Sequence, residues 1–227
     1  GCALNVRQYY VDGYYPFGQA GGTGHLPSAA LVKATLVGST RDMATWDIPN
    51  NNEGWGRVSL DNSLFFDGDT RELYAHDVAP GLQTGGTWTF DFGVDSSAEP
   101  LVVTLVWTDY PGTSGSGIKL VNDLDLVVTA PGGTQYKGNV FSGGFSTTGG
   151  SADRLNVEEC VRVNGPATGN WRVDVNAYNI PHGPQPFALV INGAFAGWPG
   201  GGESVPAHAP VAATLAIQAV PNPVSDR

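Results

Sequence analysis

The segment Val121-Asn122-Asp123-Leu124-Asp125-Leu126 carries the densest chemistry in the chain. An extended backbone alternates its side chains between two faces, which puts Asp123 and Asp125 together on one and Leu124 and Leu126 on the other. Two carboxylates on one face repel unless water or a cation screens them. Hard oxygen donors in loops and at strand ends are what Ca²⁺ takes, with roughly 6–8 oxygens at ~2.3–2.6 Å. Further oxygens come from Asp109, which follows the apolar run 101–108, from Asn122, and from Asp153 and Asn156 in Ser151-Ala152-Asp153-Arg154-Leu155-Asn156. The spacing is not that of an EF-hand, which needs D-x-[DN]-x-[DN]-G and a distal Glu. A second reading stands beside the first: these residues are the solvated face of an ordinary strand, with Asp153 paired to Arg154 or to another arginine.

Other chemistry is sparse. No H-E-x-x-H, C-x-x-C or P-loop pattern occurs, and His25, His76, His182 and His208 lie far apart without ligand spacing. Gly112-Thr113-Ser114 resembles a nucleophile motif, but it sits in the Gly/Ser-rich stretch 110–117 with no helix after it, which is the composition of a loop between strands. Among the tryptophans, Trp88, Trp107 and Trp171 fall on strand positions and suit a core better than a sugar-stacking platform. Trp46 and Trp55 lie earlier in the chain, and Trp198 falls in a linker.

Two kinds of element must position these residues. Residues 1–11 place Ala3, Val6 and Tyr10 on one stripe, with Gly13 as a stop, and predict a helix. No capping residue precedes it, so this helix reads as the end of a longer one. A second helix is predicted from Pro27-Ser28 to Val37, with Ala30, Ala34 and Val37 on one face and Gly38 closing it. A short third helix is expected over 54–64. After about Phe65 the period changes to two, most plainly in Thr87-Trp88-Thr89-Phe90-Asp91-Phe92-Gly93-Val94. Strands are expected over 72–77, 87–94, 101–108, 123–129, 134–138, 156–163, 171–178 and 187–192. Turn residues such as Pro131-Gly132-Gly133 separate several of them, and no helical pattern intervenes. Together they predict a mainly β unit, an antiparallel eight-stranded jelly roll or β-sandwich. The expected division is 1–64, helical; 65–195, the sandwich; 196–214, a Gly/Pro/Ala-rich linker; and 215–227, the start of a further module.

Composition narrows the function classes. In 227 residues, 11 Lys+Arg stand against 21 Asp+Glu, giving a formal charge of −10 and no basic face for nucleic acid. No apolar run approaches the ~18 residues of a membrane span. The 41% hydrophobic and 10% aromatic content suffices for a core, and 32 Gly with 16 Pro favour short strands and turns. Cys2 and Cys160 allow one intramolecular bridge at most, which rules out a disulfide scaffold and favours free thiols. Met43 is the only methionine and no signal peptide is present, so the sequence reads as part of a longer chain.

Several segments together resemble a known family. Pro27-Ser28-Ala29-Ala30-Leu31-Val32-Lys33-Ala34-Thr35-Leu36 and Asn51-Asn52-Glu53-Gly54-Trp55-Gly56-Arg57-Val58 are similar to the end of the catalytic domain of subtilisin-like serine proteases. Leu105-Val106-Trp107-Thr108-Asp109, Leu120 to Leu126, Asp153-Arg154-Leu155-Asn156-Val157-Glu158 and the stretch 179–190 resemble the C-terminal jelly-roll β-barrel that some subtilases carry. The resemblance covers roughly residues 1–195. Ala219 to Asp226 is more weakly similar to the start of a bacterial secretion-sorting domain.

The resemblance implies that residues 1–64 complete a truncated α/β catalytic domain. It places the catalytic Ser just upstream of Gly1, and the family's Asp, His and oxyanion Asn further upstream, so this chain alone has no triad and is expected to be inactive. It also implies a secreted protein, a polypeptide substrate for the full-length enzyme, the upstream catalytic portion as partner, and Ca²⁺ in the barrel. The alternative is a non-catalytic extracellular module that binds carbohydrate or a cell surface. The helices and the 51–58 motif favour the protease, since a binding module has no need of them.

Overall fold

Alternation in the second half of the chain becomes two antiparallel sheets packed face to face. The computed structural model describes residues 1–43 and 47–195, so Trp46, Trp198 and the expected linker and terminal module lie outside the described residues. Two helices come first, α1 (Cys2–Val11) and α2 (Ala29–Gly38). Nine strands follow: β1 (Glu72–Leu82), β2 (Thr87–Val94), β3 (Leu101–Val106), β4 (Asp123–Thr129), β5 (Gln135–Ser142), β6 (Phe145–Thr148), β7 (Glu158–Val163), β8 (Gly169–Asn179) and β9 (Gln185–Gly193). One sheet has the order β1-β9-β3-β7 and the other β2-β8-β4-β5-β6, with every pairing antiparallel. The sheets stay open as a sandwich; no barrel closes among the described residues.

The inner faces make the main core. Leu101, Val103 and Leu105 of β3 and Phe187, Leu189 and Ile191 of β9 meet Leu124, Leu126 and Val128 of β4 and Trp171, Val173 and Val175 of β8. Each such side chain, taken fully out of water, contributes about 1.5–3 kcal/mol. Trp107 and Trp171 are buried in this core, while Trp88 and Phe90 are half-buried at its margin.

The four-stranded sheet is buried on its outer face as well. Val6, Tyr9 and Tyr10 of α1 and Ala30, Leu31 and Ala34 of α2 pack on Leu73 of β1, Val106 of β3, and Ala188 and Val190 of β9. Strand β9 is therefore apolar on both faces. Ser28 caps α2, its side chain accepting the Leu31 N–H at 3.0 Å. Gly38 ends α2 where a Cβ would lie 3.1 Å from Thr104 Oγ1, so its bare backbone lets the helix end pack closely on the sheet. The helical segment thus shares a core with the sandwich.

Two elements differ from expectation. The third helix over 54–64 is absent: Gly54 and Gly56 adopt φ of 59° and 91°, Arg41 and Arg57 form a bridge across the loop, and only Leu60–Asn62 makes a 3₁₀ turn. The ninth strand is β6, four residues held between Gly143-Gly144 and Gly149-Gly150 and too short to show a period.

Candidate functional site

Strand β4 lies between β8 and β5 and projects Asp123 and Asp125 to one side, as its alternation requires. The Arg154 guanidinium sits against both. Its Nη1 is 3.2 Å from Asp123 Oδ1 and also donates to Asp125 Oδ1, while Nη2 donates to Asp125 Oδ2 at 3.1 Å. The guanidinium carbon lies 3.8 Å from the centre of the Tyr178 ring, which completes the clamp from β8. Burial pushes the Asp123 carboxyl up to about 6; Arg154 opposes that shift, and Asp125 and Asp153 add to it. Arg154 itself is held above its ordinary range, chiefly by its bonds to Asp125.

Asp153 and Asn156 stand next to this clamp. Asp153 accepts the backbone N–H of Leu155 at 2.8 Å and of Asn156 at 3.2 Å, and the side-chain amides of Asn156 and Asn139 at 2.7 Å each. Burial opposes ionisation of Asp153, but these four bonds prevail and keep its pKa below the usual carboxylate range.

Asp109 and Asn122 are brought together elsewhere, in a knot that ties three loops. Asp109 accepts the N–H of Val121 at 2.7 Å and of Asn122 at 2.8 Å. The buried Asn122 donates to His182 O at 2.8 Å and Gln185 Oε1 at 2.7 Å, and accepts the His182 N–H at 3.1 Å. Trp107 Nε1 donates to Asn122 O at 2.9 Å, and the Tyr110 ring stacks on His182 with centroids 3.8 Å apart. Six predicted residues therefore fall into two neighbourhoods: Asp123, Asp125, Asp153 and Asn156 around Arg154, and Asp109 with Asn122 in the knot.

Glu159 is a group that sequence reasoning missed. It lies on β7 with 1% exposure; Oε2 accepts the Leu126 N–H at 2.7 Å, and Oε1 has no hydrogen-bond partner. Burial, offset in part by that N–H and reinforced by Asp125, Asp153 and Asp123, pushes its carboxyl up to about 9. Gly138 of β5 makes the room, since a Cβ there would collide with the Glu159 side chain. The trace in the sequence was period: Val157, Val161 and Val163 face the core, and Glu159 falls in the same register. Two carboxylates thus hold the guanidinium, and Asp153 and Glu159 lie close enough to them for their charges to interact.

A second acidic group was also unforeseen. Ligand oxygens of Asp42, Asp47 and Glu53 lie within 4.8 Å of one another, the tightest carboxylate trio among the described residues. Asp42 accepts the Asp47 N–H, Glu53 accepts the Met43 N–H, and Asn50 donates to Asp47 and Glu53, so the trio stitches its own loop. Ser114 is exposed in a loop, and among the described residues no hydrogen bond joins it to a histidine or carboxylate. Cys2 is exposed and Cys160 buried, both as free thiols.

No family model matches the chain. It is 33% identical over 200 residues to the serine protease/ABC transporter B family protein tagA of Dictyostelium discoideum, covering 83% of this chain and 11% of that protein. The tagD and tagB proteins of the same organism, which carry the same family name, match at 28% and 26% identity, each over 83% of this chain and over 13% and 12% of their own lengths. The chain spans little more than a tenth of these relatives. Among solved structures, Bacillus licheniformis lipase BlEst2 in its propeptide form aligns at a TM-score of 0.31 and 11% identity, over 55% of this chain and 22% of that one. The Macrobrachium rosenbergii nodavirus P-domain aligns at 0.22 and 11% identity, over 56% of this chain and 91% of its own. Neither likeness bears on function.

Proposed function

We propose that this chain is the non-catalytic, C-terminal portion of a secreted subtilisin-like serine endopeptidase, a sandwich that braces the catalytic portion through α1 and α2. The observation that carries this reading is the outer side of the two helices. Their inner sides are buried on the sheet, yet Ala3, Leu4, Pro27, Val32 and Leu36 line an open, mostly apolar groove of about 510 Å³ between them. Leu4 there is 61% exposed. An isolated module has no reason to keep such a surface, and the upstream portion of a protease would cover it. The relatives named as serine proteases, matched over 83% of this chain, favour the same reading.

Calcium belongs to the proposal. Asp123, Asp125 and Asp153 supply carboxylate oxygens and Asn156 an amide oxygen, while Glu159, its carboxyl pushed up to about 9 by burial, stays neutral near pH 7 and adds no charge. A Ca²⁺ ion held by Asp123, Asp125, Asp153 and Asn156 would take the oxygens on which the Arg154 guanidinium now rests, so ion and guanidinium would compete; Asp109 and Asn122 remain in the knot.

The deciding experiment compares this chain with a version extended by its natural upstream sequence, using casein hydrolysis and a fluorophosphonate serine probe. The extended protein is expected to hydrolyse casein and to label at one upstream serine, while this chain does neither. Labelling of this chain at Ser114, or an extended protein with no hydrolase activity, would overturn the reading.

A further inference from the structure

The sandwich has four edge strands: β1 and β7 on one sheet, β2 and β6 on the other. Unpaired main-chain groups along an edge are a template for another strand, and folded proteins cover, shorten or interrupt such edges. Three of the four are dealt with. On β1, the Tyr15 hydroxyl accepts the Ala75 N–H at 3.0 Å and donates to Ala75 O at 3.1 Å. On β7, Asn139 accepts the Cys160 N–H at 2.9 Å and donates to Glu158 O at 2.8 Å, and Ser146 Oγ accepts the Arg162 N–H at 2.8 Å. Strand β6 is only four residues long.

Strand β2 is eight residues long and, among the described residues, has no such cover along Thr87–Asp91. The Ala177 N–H donates to Gly86 O at 2.9 Å, which fixes the alternation. Main-chain groups of Trp88, Phe90 and Phe92 turn toward β8, and those of Thr87, Thr89 and Asp91 turn outward. Among the described residues nothing pairs with these outward groups. At its far end the edge is met by an isolated antiparallel bridge from the residues after β9, Val94 with Phe195, and the Asp95 N–H donates to Ala194 O at 2.9 Å.

Side chains beside the edge describe what it would hold. On the core side, the Trp88, Phe90 and Phe92 rings stack in a row 6.0 and 6.1 Å apart, with His76 against the first two. Trp88 and Phe90 are half-buried, so this row opens along the edge. On the solvent side, Asp91 and Asp174 stand with Arg172 as the one basic group shown against them among the described residues. Asp95 and Glu72 add acid at the far end, where burial, with Asp95 nearby, raises the Glu72 carboxyl.

We propose that the outer edge of β2 binds an extended polypeptide segment by strand addition, with apolar side chains on alternate positions and basic ones between them. The apolar set covers the Trp88–Phe90 row, the basic set faces Asp91 and Asp174, and Thr87, Thr89 and Asp91 supply the main-chain bonds. This goes beyond the protease reading and does not depend on it.

The test uses the full chain and an acetylated, amidated octapeptide alternating lysine and valine, labelled for fluorescence anisotropy. Saturable binding is expected, weakened at least about tenfold when every second peptide nitrogen is methylated or glutamate replaces lysine. Thr89→Pro removes an outward N–H while leaving the β8 pairing in place, and is expected to weaken binding to a similar extent. Amide exchange at Thr89 and Asp91 should slow on adding peptide. If Thr89→Pro fails to fold, the methylated peptide against the parent chain decides. Absence of saturable binding, binding indifferent to N-methylation, or Thr89 and Asp91 amides already protected in the free chain would overturn the proposal. So would concentration-dependent dimerisation protecting those amides, which would assign the edge to a second copy.

Discussion

His76 shows how one side chain sets a pH response. The residue is half-buried, its Nε2 is shut off with no partner among the described residues, and burial lowers its pKa from 6.5 to about 4. Between those values the unfolded chain takes up a proton that the folded chain refuses, so folding stability falls as pH drops from about 6.5 to about 4. His76→Phe removes that cost. Urea unfolding at pH 7 and pH 4 should show the parent losing about 2–3 kcal/mol more than the variant; parallel losses would exclude a buried neutral histidine. The acid clamp gives a second prediction. Calcium at a hundredfold excess over Kd should stabilise the parent by ~2.7 kcal/mol, EDTA should reverse it, and Asp125→Asn should abolish it. Because guanidinium and ion compete for the same oxygens, Arg154→Ala should tighten calcium binding. A melting temperature indifferent to calcium in all three proteins sinks the site. At this scale the sequence was legible in part. Alternation placed Asp123 and Asp125 on one face, but their cation came from Arg154, reached by a fold-back no local pattern encodes. Asp109 and Asn122 have the right chemistry for a ligand, yet backbone amides and loop carbonyls claim it. Glu159 was masked because a Glu-Glu pair reads as solvated surface until the register of its neighbours is applied.

Among the elements, the joint between β5 and β7 hangs on one asparagine. Asn139 adopts φ of 60°, where an asparagine is more at ease than other residues with a Cβ, and bonds the main chain at Glu158 and Cys160 and the Asp153 carboxylate. Asn139→Ala leaves a buried N–H and carbonyl unsatisfied and strains the backbone, for an expected loss of about 2–4 kcal/mol in denaturant unfolding. Asn139→Gly keeps the conformation and should recover part of it; equal losses would show that strain contributes nothing. Element prediction succeeded where period was long and uninterrupted, as in Thr87–Val94. It failed over 54–64, where a helix was expected although Gly54 and Gly56 take positive φ and turn the chain to meet Arg41. It also missed β6, since four residues between glycine pairs offer no alternation to count.

For the molecule as a whole, α1 and α2 belong to the cooperative unit. A reading in which these helices await a missing sheet would leave them poorly protected, but Tyr10, Leu31 and Ala34 are buried on β1, β3 and β9. Amide exchange in α2 should therefore match that in β9, with urea melting both in one transition. Early exchange of α2 would separate the helices from the sandwich. The pairing of β1 with β9 has a consequence for the order of events on the ribosome. Glu72 pairs with Gly193, and β9 also joins β1 to β3. Until synthesis passes residue 193, β1 and β3 have no strand between them and both helices lack the Ala188–Val190 floor they rest on. Contacts this distant in sequence form slowly and late. The four-stranded sheet and the seat of both helices thus complete only when β9, the last described strand, has been made.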